Sequence, residues 1–567
     1  MGSLKKNRIK KIISFLSAVL FFHFVSAQNG QKKYWIQLKD KNGSPFSINN
    51  PDTYLSKGAI ARRSRQHIPI SSSDLPVNPT YINQIKAAGA AFINQSKWFN
   101  AITVSASDTN AINAVKALPF VKSVQKLEEP LNKNVSSKFE FESTTAIAVN
   151  PERSPSPLPQ TGLNYGISFS QANQIGADCL HNLGYQGQGM TIAVLDAGFF
   201  NANILPAFDS MFINHQLLGT RDFVTGDTLV FEDYPHGMNV LSCMAGNLPG
   251  RIVGTAPKAK YWLLRTENAN SETISEEYNW LRGAEFADSV GVDVINSSLG
   301  YNYFDTASYN HTYADMNGHT TVISKAAEWA ARKGILVVSS AGNSAGPPWY
   351  KITAPADADS ILTVGAVDSN GVIASFSSRG LTFDGRIKPN VAARGLQAVI
   401  AANAGDIAME NGTSFSSPIS AGAAACLWQA NPSATVIELI NAIQQSATQA
   451  STPDSIKGYG IPNFCAAHTI LTGIESKQPA DNKFNVYPDP FNDNFNVTFY
   501  SEKKQTIVLE LYDMEGRKIR AEERKSDAGS LSTFNISDMD ILPNGLYLIR
   551  LTANGSSLYK KLVKNKY

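Results

Sequence analysis

Between Gly166 and about Gly473, short apolar runs rich in β-branched residues alternate with helical stretches. That alternation limits the fold more than any other feature of the chain. The runs are Thr191–Leu195, Tyr261–Arg265, Val292–Asn296, Ile335–Ser339 and Ile361–Val367. They read as strands buried on both faces, since a half-exposed strand would alternate polar and apolar residues. Between them, 3.6-residue periodicity predicts helices over His236–Gly246, Thr273–Val290 and Thr320–Lys333, the last closed by Gly334. Buried strands joined by helices predict an α/β domain built on a doubly wound, mostly parallel sheet. In such sheets functional residues gather at the carboxyl ends of the strands.

At 567 residues the chain is long enough for further domains. Residues 1–27 read as a secretory signal peptide. Lys5, Lys6, Arg8, Lys10 and Lys11 form a basic segment, Ile12–Val25 is largely apolar, and Val25-Ser26-Ala27 offers small residues for cleavage. Residues 28–130 predict a small α+β domain: strand Tyr34–Leu38, helix Tyr81–Ala91, strand Ala101–Val104, helix Asp108–Leu118 and strand Val121–Leu127. The basic patch Arg62-Arg63-Ser64-Arg65 is read there as a solvated face. Residues 131–163, rich in Asn, Ser, Glu and Pro, predict an exposed linker. The central domain takes 164–473. From 474 to 567, short alternating runs (Phe495–Phe499, Ile507–Leu511, Leu546–Leu551) between turn signals predict a small β-sandwich-like domain. A net charge of +3 with scattered Lys and Arg gives no reason to expect nucleic acid, and no run after the signal peptide is apolar and long enough to span a membrane. Cys179, Cys243, Cys426 and Cys465 allow three pairings, between which the spacing does not choose; Cys243 and Cys426 sit in apolar helical patterns and are expected to be buried small residues.

Polar residues end the buried runs where a site should form. Thr191–Leu195 runs into Asp196-Ala197-Gly198, Val294–Asn296 into Ser297-Ser298-Leu299-Gly300, and Ile335–Val338 through Ser339-Ser340 into Ala341-Gly342-Asn343. His236-Gly237 opens a helix. Asn411–Pro418, NGTSFSSP, follows the apolar run Val399–Ala402 and feeds a second helix with Ser414 at its N-terminus; Pro418 is expected in the first turn, where its missing N–H does no harm. A serine hydroxyl becomes a nucleophile when an imidazole takes its proton and a carboxylate orients that imidazole. A side-chain amide and a backbone N–H can then hold the oxyanion. Asp196, His236, Asn343 and Ser414 provide one residue for each task. His181, His215, His311, His319 and His468 lack such surroundings and are read as structural or surface residues.

The order Asp, His, Ser and the surrounding words resemble the subtilisin-like serine proteases, the subtilases. IAVLDAG, HGMNVLSCMAG, VINSSLG, VVSSAGNSAG and NGTSFSSP resemble five motifs of that family in their usual order, over roughly Tyr165–Leu471. Ala197, Met238, Asn239, Arg394 and Phe415-Ser416-Ser417 depart from the usual residues without removing a chemical group. The resemblance implies a secreted serine endopeptidase with Asp196, His236, Ser414 and Asn343 as catalytic residues. It implies that Ser298, Leu299 and Gly300 bind extended polypeptide substrates as an added strand, and that Gly342 lines the primary specificity pocket. It places residues 28–130 where subtilases carry an inhibitory propeptide. VYPDPFND, LYDMEGRKI and LPNGLYLIRL resemble the sorting domain of the type IX secretion system of Bacteroidetes, which implies secretion machinery as a partner and a secreted or surface-attached product. No required cofactor is expected; the resemblance allows structural calcium, which many subtilases bind, but no ligand spacing assigns it a site. The alternative is a subtilase scaffold, weak or inactive as an enzyme, that serves as a secreted binding protein. An α/β-hydrolase esterase is excluded, because Gly412-Thr413-Ser414-Phe415-Ser416 lacks the second glycine of the nucleophile elbow and the chain order is wrong.

Overall fold

The computed structural model describes residues 32–127, 145–146, 163–472 (except 404), 484–487 and 491–564 (except 502, 528–529 and 554). The signal-peptide segment and most of the linker lie outside the described residues. The chain divides into two compact units, Met1–Thr472 and Gly473–Tyr567.

The N-terminal domain is a four-stranded antiparallel sheet of order β2-β3-β1-β4, made of β1 (Lys32–Leu38), β2 (Ala91–Ser96), β3 (Ala101–Ala106) and β4 (Val121–Lys126). Three helices accompany it: α1 (Lys57–Arg65), α2 (Pro79–Ala87) and α3 (Thr109–Lys116). Period-two alternation in β1 divides its side chains. Ile36 and Leu38 enter the domain's own core with Ile85, Ile102, Ile112 and Val115. Trp35 faces the other way and joins a core of the central domain, its ring 4.6 Å from that of Tyr278. The helix expected over Tyr81–Ala91 ends four residues early. Gly89, at φ +94°, stops it in the left-handed conformation that glycine tolerates, and Ala91 opens β2 instead.

The central domain carries a seven-stranded sheet of order β14-β13-β12-β11-β6-β10-β7. Its strands are β6 (Thr191–Asp196), β7 (Leu217–Asp222), β10 (Lys260–Arg265), β11 (Val294–Ser297), β12 (Leu336–Ser340), β13 (Leu362–Val367) and β14 (Val391–Arg394), and every neighbouring pair runs parallel. Five of the seven match the expected runs. The two missed are the edge strands. β7 is half-exposed and contains Gly219 and Arg221, and β14 is four residues of which two are alanine, so neither carries a strong β pattern. Short pairs β8 (Asn247–Leu248) and β9 (Ile252–Val253), and β15 (Ala398–Ala401) with β16 (Ile407–Glu410), lie outside the main sheet. Two residues of the expected linker, β5 (Thr145–Ala146), pair with Met409 and Ala408 of β16.

Both faces of the sheet are covered, as the uninterrupted apolar strands require. Ile192 and Val194 face one core with Val240, Leu241 and Met244 of α4 (His236–Ala245) and Ile419, Ala423 and Leu427 of α7 (Thr413–Ala430). Ala193 and Leu195 face the other, with Leu281 and Ala284 of α5 (Ser275–Val290) and Ile323 and Ala327 of α6 (Val322–Arg332). The structure chooses one cysteine pairing: Cys179, in the helix Ala177–Asn182, bonds Cys465 in α8 (Phe464–Leu471), closing a separation of 286 residues. Cys243 and Cys426 are free and buried, as expected.

The reading of Arg62-Arg63-Ser64-Arg65 as a solvated face is overturned. Arg62 and Arg63 are each 1% exposed and lie between α1 and α5. Arg62 donates to Asp288 Oδ1 at 2.6 Å and to the carbonyls of Val292 and Lys333; Arg63 bridges Asp74 and Asp288 at 2.7 and 2.8 Å. Lys97 adds a third cation on Asp288 at 2.6 Å, Lys333 reaches back to Asp74 at 3.0 Å, and Arg65 meets Asp293 at 3.0 Å. Apart from Asp74, the carboxylates that neutralise the patch are more than 200 residues away in the chain, so a local reading had no means of pairing them.

Among the described residues the C-terminal unit holds two antiparallel sheets of orders β17-β18-β21 and β20-β19-β22-β23, in which β17 is Phe484–Tyr487, β21 is Ser530–Ile536 and β23 is Ser556–Lys564. β18 (Phe495–Ser501), β19 (Gln505–Asp513) and β22 (Gly545–Ala553) contain the three expected runs. Phe495 and Val497 from one sheet and Leu509, Leu511, Ile549 and Leu551 from the other form one core. The missed strand β20 (Lys518–Ser526) is largely exposed and charged, so its sequence carries no core signal.

Candidate active site

Parallel strands place their carboxyl ends on one edge of the sheet, and the sequence-named residues collect there. Asp196 is the last residue of β6, Ser298-Leu299-Gly300 follows β11, Gly342-Asn343 follows β12, and His236 and Ser414 stand in the first turns of α4 and α7.

Asp196 Oδ1 accepts from His236 Nδ1 at 2.6 Å and from the Ala197 N–H at 2.8 Å. Both side chains are buried, Asp196 completely. This bond holds the imidazole by Nδ1 and leaves Nε2 as the nitrogen for other chemistry. The Phe415 ring, next in sequence to Ser414, lies 6.2 Å from the His236 ring, centroid to centroid. Ser414 Oγ donates to the Ser298 carbonyl at 3.4 Å.

Asn343 is held by the residue before the serine. Its Oδ1 accepts from the Thr413 N–H at 2.9 Å and from Thr413 Oγ1 at 2.8 Å, while the Gly342 N–H donates to Thr413 Oγ1 at 3.2 Å. With its carbonyl end so committed, Asn343 has its NH₂ end to offer a ligand.

Ser298, Leu299, Gly300, Gly342, Asn343 and Ser414 line one cavity of about 190 Å³. The structure therefore brings six of the eight named residues to one cavity, and pairs the other two, Asp196 with His236. Two of the wall residues must be glycine. A Cβ on Gly300 would lie 2.2 Å from Thr353 Oγ1, and Gly342 combines φ +101° with an approach of 2.8 Å to the same atom. Thr353 is 3% exposed, and its hydroxyl has no hydrogen-bond partner among the described residues.

Several residues of the site carry no local signal. Thr413 was read only as part of a word, yet it locks Asn343. Glu267 and Glu272 enter the cavity wall from the loop after β10, and with Glu276 they bring carboxylate oxygens within 4.8 Å of one another. Among the described residues no Lys or Arg lines the cavity, and its wall carries the carboxyl groups of Glu267 and Glu272. Pro418 is the sixth residue of α7, not a first-turn residue as expected.

Profile comparison identifies three regions. The Subtilase family matches residues 187–460, the Peptidase S8 propeptide domain of Bacteroidota matches 33–142, and a secretion system C-terminal sorting domain matches 485–565. Subtilisin E of Bacillus subtilis (strain 168) is 32% identical over 308 residues, 53% of this chain and 70% of that protein. Subtilisin of Bacillus pumilus is 32% identical over 308 residues, covering 98% of that protein, and an alkaline protease of Shouchella clausii is 27% identical over 358 residues, 84% of its length. The sorting domain indicates export, with secretion or attachment at the cell surface. Among the described residues no helix is long and apolar enough to cross a membrane. With a seven-stranded parallel sheet, an Asp–His pair at its carboxyl edge and relatives of this similarity, the chain belongs to the subtilase family and is a subtilisin-like serine endopeptidase, made with a propeptide domain and a sorting domain for export.

Proposed function

We propose that the chain hydrolyses peptide bonds of extended polypeptides through an acyl-enzyme formed on Ser414. The observation that carries this reading is the buried 2.6 Å bond between Asp196 and His236, at the sheet edge that also presents Ser414 and Asn343. His236 Nε2 takes the Ser414 hydroxyl proton as Oγ bonds to the substrate carbonyl carbon. Asp196 fixes the tautomer and stabilises the imidazolium. The carbonyl oxygen, now an anion, receives hydrogen bonds from the Asn343 NH₂ and from the Ser414 N–H, a first-turn donor with no acceptor inside the helix. The C–N bond breaks as His236 returns the proton to the leaving amine. Water then repeats the sequence, giving the carboxylic acid and the free serine.

Substrate binding by Ser298-Leu299-Gly300 needs only backbone, which suits broad recognition of extended chains. Gly300 is exposed at the end of this stretch, as an edge that accepts another strand must be. The N-terminal domain, docked on α5 through Arg62, Arg63 and Lys97, acts as the chain's own inhibitor until the linker is cut. Ser414→Ala should lower kcat on a peptide substrate by about 10⁶-fold and abolish labelling by a serine-directed phosphonate. Full activity in that variant would remove Ser414 from the mechanism.

A further inference from the structure

The sixth position of α7 creates a local defect. In an α-helix the carbonyl of residue i accepts from the N–H of residue i+4. For Ser414 the donor would come from residue 418, and residue 418 is proline. The Ser414 carbonyl thus lacks its helical partner in a buried turn, and a buried carbonyl left alone is costly. Ser298 fills the gap: its Oγ, 3% exposed, donates to the Ser414 carbonyl at 2.7 Å.

The hydroxyl is itself held. Asn296 Nδ2 donates to Ser298 Oγ at 3.1 Å, and Asn296 Oδ1 accepts from Ser417 Oγ at 2.8 Å. All of these side chains are buried. The Ser298–Ser414 contact is also reciprocal, because Ser414 Oγ rests on the Ser298 carbonyl at 3.4 Å. The short bond of the pair fixes the backbone that carries the nucleophile. The long one is the bond that nucleophile gives up on attack.

We infer that the Ser298 hydroxyl is a positioning residue for the hydrolytic step: it replaces the amide that Pro418 cannot supply and thereby sets Ser414 in register with the strand edge that receives substrate. This rests on the reading of Ser414 as the nucleophile. The proline helps the arrangement, since it frees the carbonyl to be tied sideways to β11 and not along its own helix.

The test is a rescue. Ser298→Ala in the full chain should lower kcat by about ten-fold, with KM changed by less than about two-fold, because the backbone edge at 298–300 is untouched. Pro418→Ala restores an N–H beneath the Ser414 carbonyl. The double variant Ser298→Ala with Pro418→Ala should therefore recover kcat to within about three-fold of wild type, per active site titrated by a phosphonate. If Ser298→Ala alone does not mature, the double variant should still mature and turn over. An unchanged kcat in Ser298→Ala, or a double variant no better than Ser298→Ala, overturns the inference. Ser414→Ala run in parallel separates the two readings: full activity there sinks the nucleophile assignment, whereas a dead Ser414→Ala beside a normal Ser298→Ala sinks only the positioning role.

Discussion

Two polar clusters are buried in the first unit, and they are built on opposite plans. At the sheet edge, Asp196 is bonded to His236 and Asn343 to Thr413, and all four residues belong to the central domain. Under α1, charges cross between domains. Arg62, Arg63 and Lys97 come from the N-terminal domain, Asp288 and Asp293 from the central one, and Asp74 with Lys333 reverses the direction. The first network keeps its partners when the propeptide leaves. The second loses most of its own. In water those separated charges are solvated again, so the cluster specifies where the propeptide docks without making that docking permanent.

Removing the hub of the charged cluster should separate the two clusters most clearly. Asp288→Ala leaves Arg62, Arg63 and Lys97 buried without their shared carboxylate, and docking should weaken by about 3–5 kcal/mol. The inhibition constant of the cleaved propeptide should rise accordingly, while kcat of the mature enzyme stays near wild type. A large fall in kcat would mean that the two clusters are coupled.

Asn343→Ala is the converse. It should lower kcat by about 10²–10³-fold and leave propeptide inhibition unchanged. An equal loss of propeptide affinity would show that Asn343 also serves the docked state.

The smallest effect comes from acid. Burial pushes the Asp288 carboxyl up, but Lys97, Arg62 and Arg63 outweigh it and hold the group below the usual range; burial and then Arg63 and Lys333 do the same at Asp74. A depressed carboxyl contributes stability above its ordinary value, about 3.9, and loses it as pH falls through the lowered one. Burial holds Glu285 and Asp293 up, despite the bonds Glu285 accepts from Ser96, Lys97 and Trp98, so mild acid protonates these first in the docked state and favours docking. Propeptide inhibition measured against pH should therefore hold or tighten down to about pH 4 and fail only below it. Release between pH 6 and 5 would contradict that sign.

The candidate site was legible because its chemistry is written in short words. Asp196 follows a buried run directly, His236 opens its own helix, Asn343 sits between Gly342 and Ser344 after a strand, and Ser414 follows Gly412-Thr413 at a helix start. The interior strands were legible for a similar reason, as each carries its apolar run in four to six residues. The edge strands β7 and β14 and the charged strand β20 were not, because their stability comes from neighbours and not from composition. The arginine patch misled because Arg and Lys favour solvent in general, and only a partner makes their burial tolerable.

What the residue order by itself determined was the layered α/β architecture and the identity and succession of the polar groups at the sheet's carboxyl edge, since both depend on patterns a few residues long. The tertiary structure alone decided which of three cysteine pairings forms, that Thr413 locks Asn343, that Ser298 answers the defect at Pro418, and that Arg62 meets Asp288. Each of those is an interaction between groups 70 to 286 residues apart, and its energy depends on distance and burial, quantities that exist only once the chain has folded.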